Sequence, residues 1–275
     1  MPIRTDRLSV TTDYAAGTGC PEPYLRRIAE AGYSHVHWCH QWNTDFLYDD
    51  GEIAAIAAWM RELGLGLTDL HGSAGVEKGW GSLREYERQA GAALVQNRID
   101  MAARLGSDVV IMHAPKEVTD PVTADRGWPQ FMRTLDELRP HARERGVRLA
   151  LENGDFDILD RVFAVHGPDY IGLCYDSGHG NVRPGGLDRL ERVRDRLISL
   201  HLHDNDGASD QHKPLFSGTV DWPRLARIIA ASAYGKWVSM ETTMKNAGIA
   251  GELEFLGRVR EAGRRFADMI AAAGR

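Results

Sequence analysis

The sequence predicts a single domain spanning residues 1–275, folded as a closed (β/α)8 barrel, and three observations support this. Short β-branched or leucine-rich runs alternate with amphipathic helical stretches eight times along the chain. Several helical stretches stop at a glycine, as at Gly64, Gly106 and Gly146, and the next apolar run begins within a few residues. Finally, most of the polar residues able to bind a metal occupy the last positions of the runs, the end where such a barrel carries its chemistry.

The first unit pairs a strand at 8–11 with a helix at 21–31. Between them, Thr11-Thr12-Asp13-Tyr14 lacks the glycine-rich phosphate turn that an open doubly wound sheet places after its first strand. The second unit joins 35–38 to 50–63 through Trp38-Cys39-His40-Gln41-Trp42-Asn43, a loop that brings aromatic groups to the mouth. Trp38 and Trp42 are expected to offer aromatic faces to a bound substrate, with Trp80 and Trp128 approaching from later loops. Trp128 opens a helix and reads as a cap on the barrel or a subunit contact. The remaining strands fall at 66–71, 108–113, 148–153, 170–176, 197–203 and 236–241, and their helices at 82–105, 128–145, 156–165, 187–195, 222–233 and 252–272.

Six of these strands end in a candidate ligand: Leu70-His71, Met112-His113, Leu151-Glu152, Tyr175-Asp176, Leu200-His201-Leu202-His203 and Met240-Glu241. Side chains alternate faces along a strand, so the leucines at 200 and 202 can pack on helices while both histidines point into the barrel. Leu149, Leu151, Leu173, Tyr175, Val238 and Met240 fit the same outward register, which leaves Glu152, Asp176 and Glu241 facing inward. Carboxylates buried without a partner are strongly unfavourable, and a divalent cation would offset their charge.

Composition narrows the function. A chain of 275 residues with 43 % hydrophobic content can bury one large core. The formal charge of −6 and a pI near 6.0 disfavour nucleic acid as a partner. No apolar run approaches the roughly 20 residues of a membrane span, and the charged start, Met1 to Arg7, lacks the apolar stretch of a signal peptide, so the protein is expected to be soluble and cytoplasmic. Cys20, Cys39 and Cys174 are widely spaced and predict neither a disulfide nor a thiolate zinc site. Lys116, Arg183 and Lys213 stand on separate loops and form no phosphate pocket, which points to an unphosphorylated substrate. A homo-oligomer is compatible with all of this.

Leu151-Glu152-Asn153, Asp176-Ser177-Gly178-His179, His201-Leu202-His203-Asp204, Asp210-Gln211-His212 with Gly218-Thr219-Val220-Asp221-Trp222, and Met240-Glu241-Thr242 together resemble the xylose-isomerase-like TIM barrels. That family includes sugar isomerases, ketose 3-epimerases and the endonuclease IV group, and the likeness spans nearly the whole chain. By resemblance, Glu152, Asp176, His201 and Glu241 are the four ligands of a central metal, and His203 is not among them. Three carboxylates and one imidazole suit Mn2+ first, with Mg2+, Co2+ or Zn2+ as alternatives.

The resemblance implies isomerisation or epimerisation of a sugar through an enediolate, with Glu152 and Glu241 as the two proton carriers. His71, His113, His179 and His212 would bind substrate. The ketose 3-epimerases carry an arginine a few residues after the strand-seven histidine, whereas this chain has Asn205-Asp206-Gly207-Ala208, so the resemblance does not extend to a particular sugar. The competing reading is a zinc phosphodiesterase of the endonuclease IV type acting on abasic DNA. His71, His113, Glu152, Asp176, His179, His201, Asp210, His212 and Glu241 match that group's trinuclear pattern in order. Against it stand the negative charge and the lack of a basic, aromatic stretch to hold a flipped nucleotide.

Overall fold

Eight parallel strands form the wall of a nearly closed barrel in the computed structural model, which describes residues 4–274; of the charged opening segment, residues 1–3 lie outside the described residues. They are β1 (Arg4–Thr11), β2 (His35–Trp38), β3 (Gly66–His71), β4 (Val109–Met112), β5 (Arg148–Glu152), β6 (Ile171–Asp176), β7 (Leu197–His201) and β8 (Trp237–Met240). Their order is β7-β6-β5-β4-β3-β2-β1-β8. The seam between β7 and β8 is drawn together at the bridge of Leu202 with Met240, where the Leu202 amide donates to Ser239 O (3.1 Å) and the Glu241 amide to Leu202 O (3.0 Å).

Around this wall lie α1 (Glu22–Glu30), α2 (Asp50–Glu62), α3 (Glu85–Arg104), α4 (Lys116–Thr119), α5 (Ala124–Arg145), α6 (Phe156–Val165), α7 (Ser177–Val182), α8 (Gly186–Val193), α9 (Trp222–Ala230) and α10 (Glu252–Ala273). Local chemistry sets their ends. Asp49 and Glu52 form a reciprocal capping box at the start of α2, and Asp155 and Asp221 cap α6 and α9. Gly64, Gly106 and Gly146, just past α2, α3 and α5, have φ of 67°, 83° and 66°, a left-handed turn that costs glycine little. Two short helices, α4 and α7, were not expected. α5 also begins at Ala124 rather than near 128, because a further turn forms where the Gly127 amide donates to Thr123 O at 2.8 Å.

The alternation of strand side chains divides the core. Val10, Val36, Val110, Leu149, Leu151, Leu173, Leu200, Val238 and Met240 belong to the main cluster with the apolar helix residues. Val109, Ile111, Ala150, Cys174 and Ile198 form a smaller cluster of their own, and these include the residues two positions before His113, Glu152 and Asp176. The floor beneath the mouth is therefore apolar only in part. On its other side the fully buried Asp69 carboxylate is bonded by His37 Nδ1 at 2.7 Å and by the Ser199 hydroxyl, and Ser9 and Ser239 are buried as well.

Helix α3 is seated against the loop that precedes it. A Cβ on Gly91 would lie 2.4 Å from Trp80 N and 2.7 Å from Lys78 O, both backbone atoms that cannot swing aside. Gly91→Ala is expected to cost about 1–3 kcal/mol through overpacking. Urea titration followed by circular dichroism measures it, and an unchanged midpoint would show that the loop can yield.

Candidate metal centre

The strand ends bring Glu152, Asp176, His201 and Glu241 into one group, each offering a ligand atom within 4.8 Å of the others, and all four residues are buried. The alternation explains the placement: Ala150, Cys174, Ser199 and Ser239, two residues earlier on the same strands, line the floor below them. His201 Nδ1 lies 2.9 Å from Glu241 Oε2 and 3.3 Å from Glu152 Oε2. Glu152 Oε2 is also 3.1 Å from His113 Nε2 and 3.5 Å from His71 Nε2.

Short as these separations are, Glu152 Oε2 and both ring nitrogens of His201 are buried and make no hydrogen bond. The polar atoms approach one another without aiming lone pair to N–H. Buried polar groups are nearly always bonded, so a cluster of orphans is unusual and needs a partner between them. A cation at the common centre is such a partner, and the donor set, three carboxylates and an imidazole, fits a divalent ion.

The charge distribution is consistent with that. Burial raises the Glu152 carboxyl, but His113 and His201 overcome it and hold it well below the ordinary carboxylate range. Burial likewise raises Glu241, and His201 and His212 bring it well below. Burial lowers His201, while Cys174, Glu241 and Glu152 hold it well above the usual histidine value. Without a cation the site balances its carboxylates with imidazolium; a cation would take over that role and release protons.

The other candidate residues surround this group. His71 and His113 meet through their Nε2 atoms at 3.1 Å and share Glu152, and the Trp42 ring stacks on His113 with centroids 5.7 Å apart and planes 17° apart. His179 lies 3.2 Å from Glu152 Oε1 and 3.4 Å from Asp210 Oδ2. It is held there by α7, whose N-cap, Asp176, accepts the His179 amide at 2.6 Å. His212 Nε2 donates to Asp210 Oδ2 at 3.0 Å, and its Nδ1 donates to Glu241 O at 2.9 Å. Burial lowers His179 and His212; Asp176 and Asp210 lead the groups that push them up, to about 12 and about 10.

Trp38 departs from expectation. It is fully buried, with its indole N–H on Tyr48 Oη at 3.2 Å, because in β2 it is His37 that faces the barrel interior and bonds Asp69. Trp80 is also buried, edge-on to Phe131, and the half-buried Trp128 lies under the Arg161 guanidinium, a structural setting.

Two residues close to the group were not among the expected site residues. His203 Nε2 is 2.9 Å from Asp176 Oδ2, its ring stacks on His212 at 4.1 Å, and it forms a further group with His212 and Glu241. A Cβ on Gly178 would come within 1.9 Å of the His203 ring, so glycine leaves room for it. His37 Nε2, 3.8 Å from Glu241 Oε1, is another buried orphan. The His35-Val36-His37 spacing carries a period of two, but with the whole strand buried it leaves open which parity faces inward. Beside the group, sharing His113, opens a cleft of about 800 Å3 between the β3–α3 and β4–α4 loops.

The chain matches the family described as xylose isomerase-like TIM barrel over residues 25–259. It is 32 % identical to the uncharacterized protein y4fM of Sinorhizobium fredii, over 90 % of this chain and 89 % of that one. A crystal structure of a D-tagatose 3-epimerase-like protein superposes with a TM-score of 0.77 at 16 % identity, covering 97 % of this chain and 98 % of that chain. A xylose isomerase-like TIM barrel protein of Mycobacterium smegmatis in complex with magnesium superposes with a TM-score of 0.71 at 17 % identity, covering 100 % and 98 %. No helix among the described residues is long and apolar enough to cross a membrane.

Proposed function

This chain belongs to the xylose isomerase-like TIM barrel family, and on that premise we propose that it is a divalent-metal-dependent isomerase or epimerase of a sugar or cyclic polyol. The observation that carries the reading is the set of buried orphan atoms on Glu152 and His201, gathered with Asp176 and Glu241. Those four residues would hold the ion, manganese by preference. When bound, it supplies electrostatic stabilisation to the negative charge that develops as a proton leaves the carbon beside a carbonyl.

The proton work falls to the chain. Glu152 and Glu241 reach the mouth from β5 and β8, strands that are not neighbours, so they can address a bound ring from two sides. Both are held ionised in the free site; in the reaction one takes the proton from carbon as base, and the other, after picking up a proton from water, returns it to the opposite face as acid. His179 and His212, held protonated and resting on Asp210 in the free site, would exchange that contact for a substrate hydroxyl. Trp42, on the rim, presents a ring face to sugar CH groups.

Loading of the ion is expected to release protons. His201 is raised and therefore charged at neutral pH in the unloaded protein, but must be neutral to ligate, so apparent affinity should rise with pH. Calorimetric titration with Mn2+ in two buffers of different ionisation enthalpy measures this, and a binding heat independent of buffer would contradict it.

A second reading has its own observation, since His71, His113 and Glu152 also form a group able to hold an ion. A phosphodiesterase would carry three zinc ions and cut abasic DNA; an isomerase would carry one ion and be restored by Mn2+. Elemental analysis with a cleavage assay separates them. Favouring the isomerase, the cleft beside the site carries Glu77, Glu87 and Glu117 against Lys78, Arg84 and Lys116 and so offers no basic track for a phosphate backbone.

A further inference from the structure

The cleft that opens beyond His113 is a built feature. Asp45 staples its rim: one carboxylate oxygen accepts the amides of Val76 (2.9 Å) and Lys78 (3.1 Å), and the other accepts that of Glu77 (3.0 Å). The Ala74 amide donates to Trp42 O at 3.1 Å, tying the same rim to the loop that carries Trp42. That loop is clamped from α3, where the buried Arg98 donates to Phe46 O at 2.9 Å and Asn97 exchanges two hydrogen bonds with the Tyr48 backbone. A wall fixed in this way holds its shape before any ligand arrives, which lowers the ordering cost of binding.

Its size and lining indicate what fits. At about 800 Å3 the cleft lies toward the upper end of the roughly 300–1,000 Å3 typical of small-molecule pockets, and it adjoins the metal group through His113 rather than enclosing it. A single ring seated at Glu152 and Glu241 would leave it empty. Lys78, Arg84 and Lys116 are matched there by Glu77, Glu87 and Glu117, so the lining has no net charge, and Arg84 is already engaged by Glu87 at 2.8 Å. Val76 and Tyr86, 73 % and 70 % exposed, add apolar and aromatic surface. Donors and acceptors of both signs beside an aromatic face suit a polyhydroxylated, uncharged ring.

We propose that the cleft between the β3–α3 and β4–α4 loops is a second subsite, which binds the distal ring of an uncharged glycoside whose proximal ring sits at the metal group. The assignment of the proximal ring rests on the isomerase reading. It follows that the substrate is a two-ring molecule rather than a free sugar.

The test uses the Mn2+-loaded protein with D-fructose and with two of its glucosides, maltulose and isomaltulose, following uptake of solvent deuterium at carbon and, separately, binding by calorimetry. Ala90→Trp fills the cleft from a half-buried position on α3 that touches none of the metal group. The wild type is expected to favour at least one glucoside over fructose by tenfold or more in kcat/KM. Ala90→Trp should raise KM for that glucoside at least tenfold while changing fructose exchange less than twofold. Tyr86→Ala, at an exposed site where misfolding is not a concern, should give a smaller loss of the same kind. Equal use of fructose and both glucosides, or equal effects of the variants on all of them, would overturn the subsite. If a glucoside binds the wild type and not Ala90→Trp but no sugar exchanges deuterium, the subsite stands and the isomerase reading fails; if no glucoside binds, the subsite falls.

Discussion

Glu152→Gln and Glu241→Gln are each expected to lower turnover by several orders of magnitude while leaving the fold intact. The amide keeps the shape of the carboxyl but cannot accept a proton, and general acid–base catalysis alone contributes roughly 10²–10⁴. Each change also removes one negative charge from a group in which three carboxylates and His201 lie within reach of a common centre, so ion affinity should fall as well. Substrate binding should suffer less than turnover, because the surrounding imidazoles and Trp42 remain. The same argument predicts that product formed in deuterated water carries label at carbon, since a proton resting on a glutamate can exchange before it is returned. Steady-state kinetics at saturating Mn2+ with mass analysis of product is the measurement. Near-normal activity in both amide variants, with unlabelled product, would require the enediolate mechanism to be abandoned.

Removal of the ion is expected to abolish activity and to lower thermal stability together. An ion present at a hundredfold its dissociation constant stabilises the folded protein by about 2.7 kcal/mol, which at ~2–4 °C per kcal/mol corresponds to a fall of roughly 5–10 °C on chelation. Asp176→Asn should reproduce most of that loss and resist rescue by added Mn2+. Its carboxylate contributes to the metal group, faces His203 at 2.9 Å and caps α7 through the His179 amide at 2.6 Å, so the change disturbs His179 as well as the charge. Scanning calorimetry with and without chelator reports both effects, and a chelated protein of unchanged midpoint and full activity would exclude the metal centre.

The eight repeating units, the glycine stops and the inward register of Glu152, Asp176, His201 and Glu241 were all legible in the sequence. Each is a local signal: strand periodicity of two, helix periodicity near 3.6, and the backbone freedom of glycine after a helix. Five of the six strand-end runs each offered a single polar candidate because leucine, methionine or tyrosine marked the outward face beside it. The run Leu200-His201-Leu202-His203 offered two imidazoles, and which of them belonged to the central group depended on contacts with Glu152, Glu241 and Asp176, none of them near in sequence.

In β2 the pattern was weaker still. His35-Val36-His37-Trp38 is buried throughout, so hydrophobicity alone could not say which parity faced inward. The buried pairing of His37 with Asp69, 32 residues away, decides it, and in doing so sends Trp38 outward to Tyr48. The cleft beside the site depends in the same way on Asp45 holding the amides of 76–78 and on Arg98 holding Phe46, 52 residues earlier. The sequence by itself determined the eight strand–helix units and the polar face of the strands that end in Glu152, Asp176, His201 and Glu241, because those follow from neighbours within a few residues. Only the tertiary structure decided which polar groups meet, because a buried charge or orphan atom takes its partner from whatever strand the closing barrel brings within about 3 Å, and no local periodicity encodes that distance.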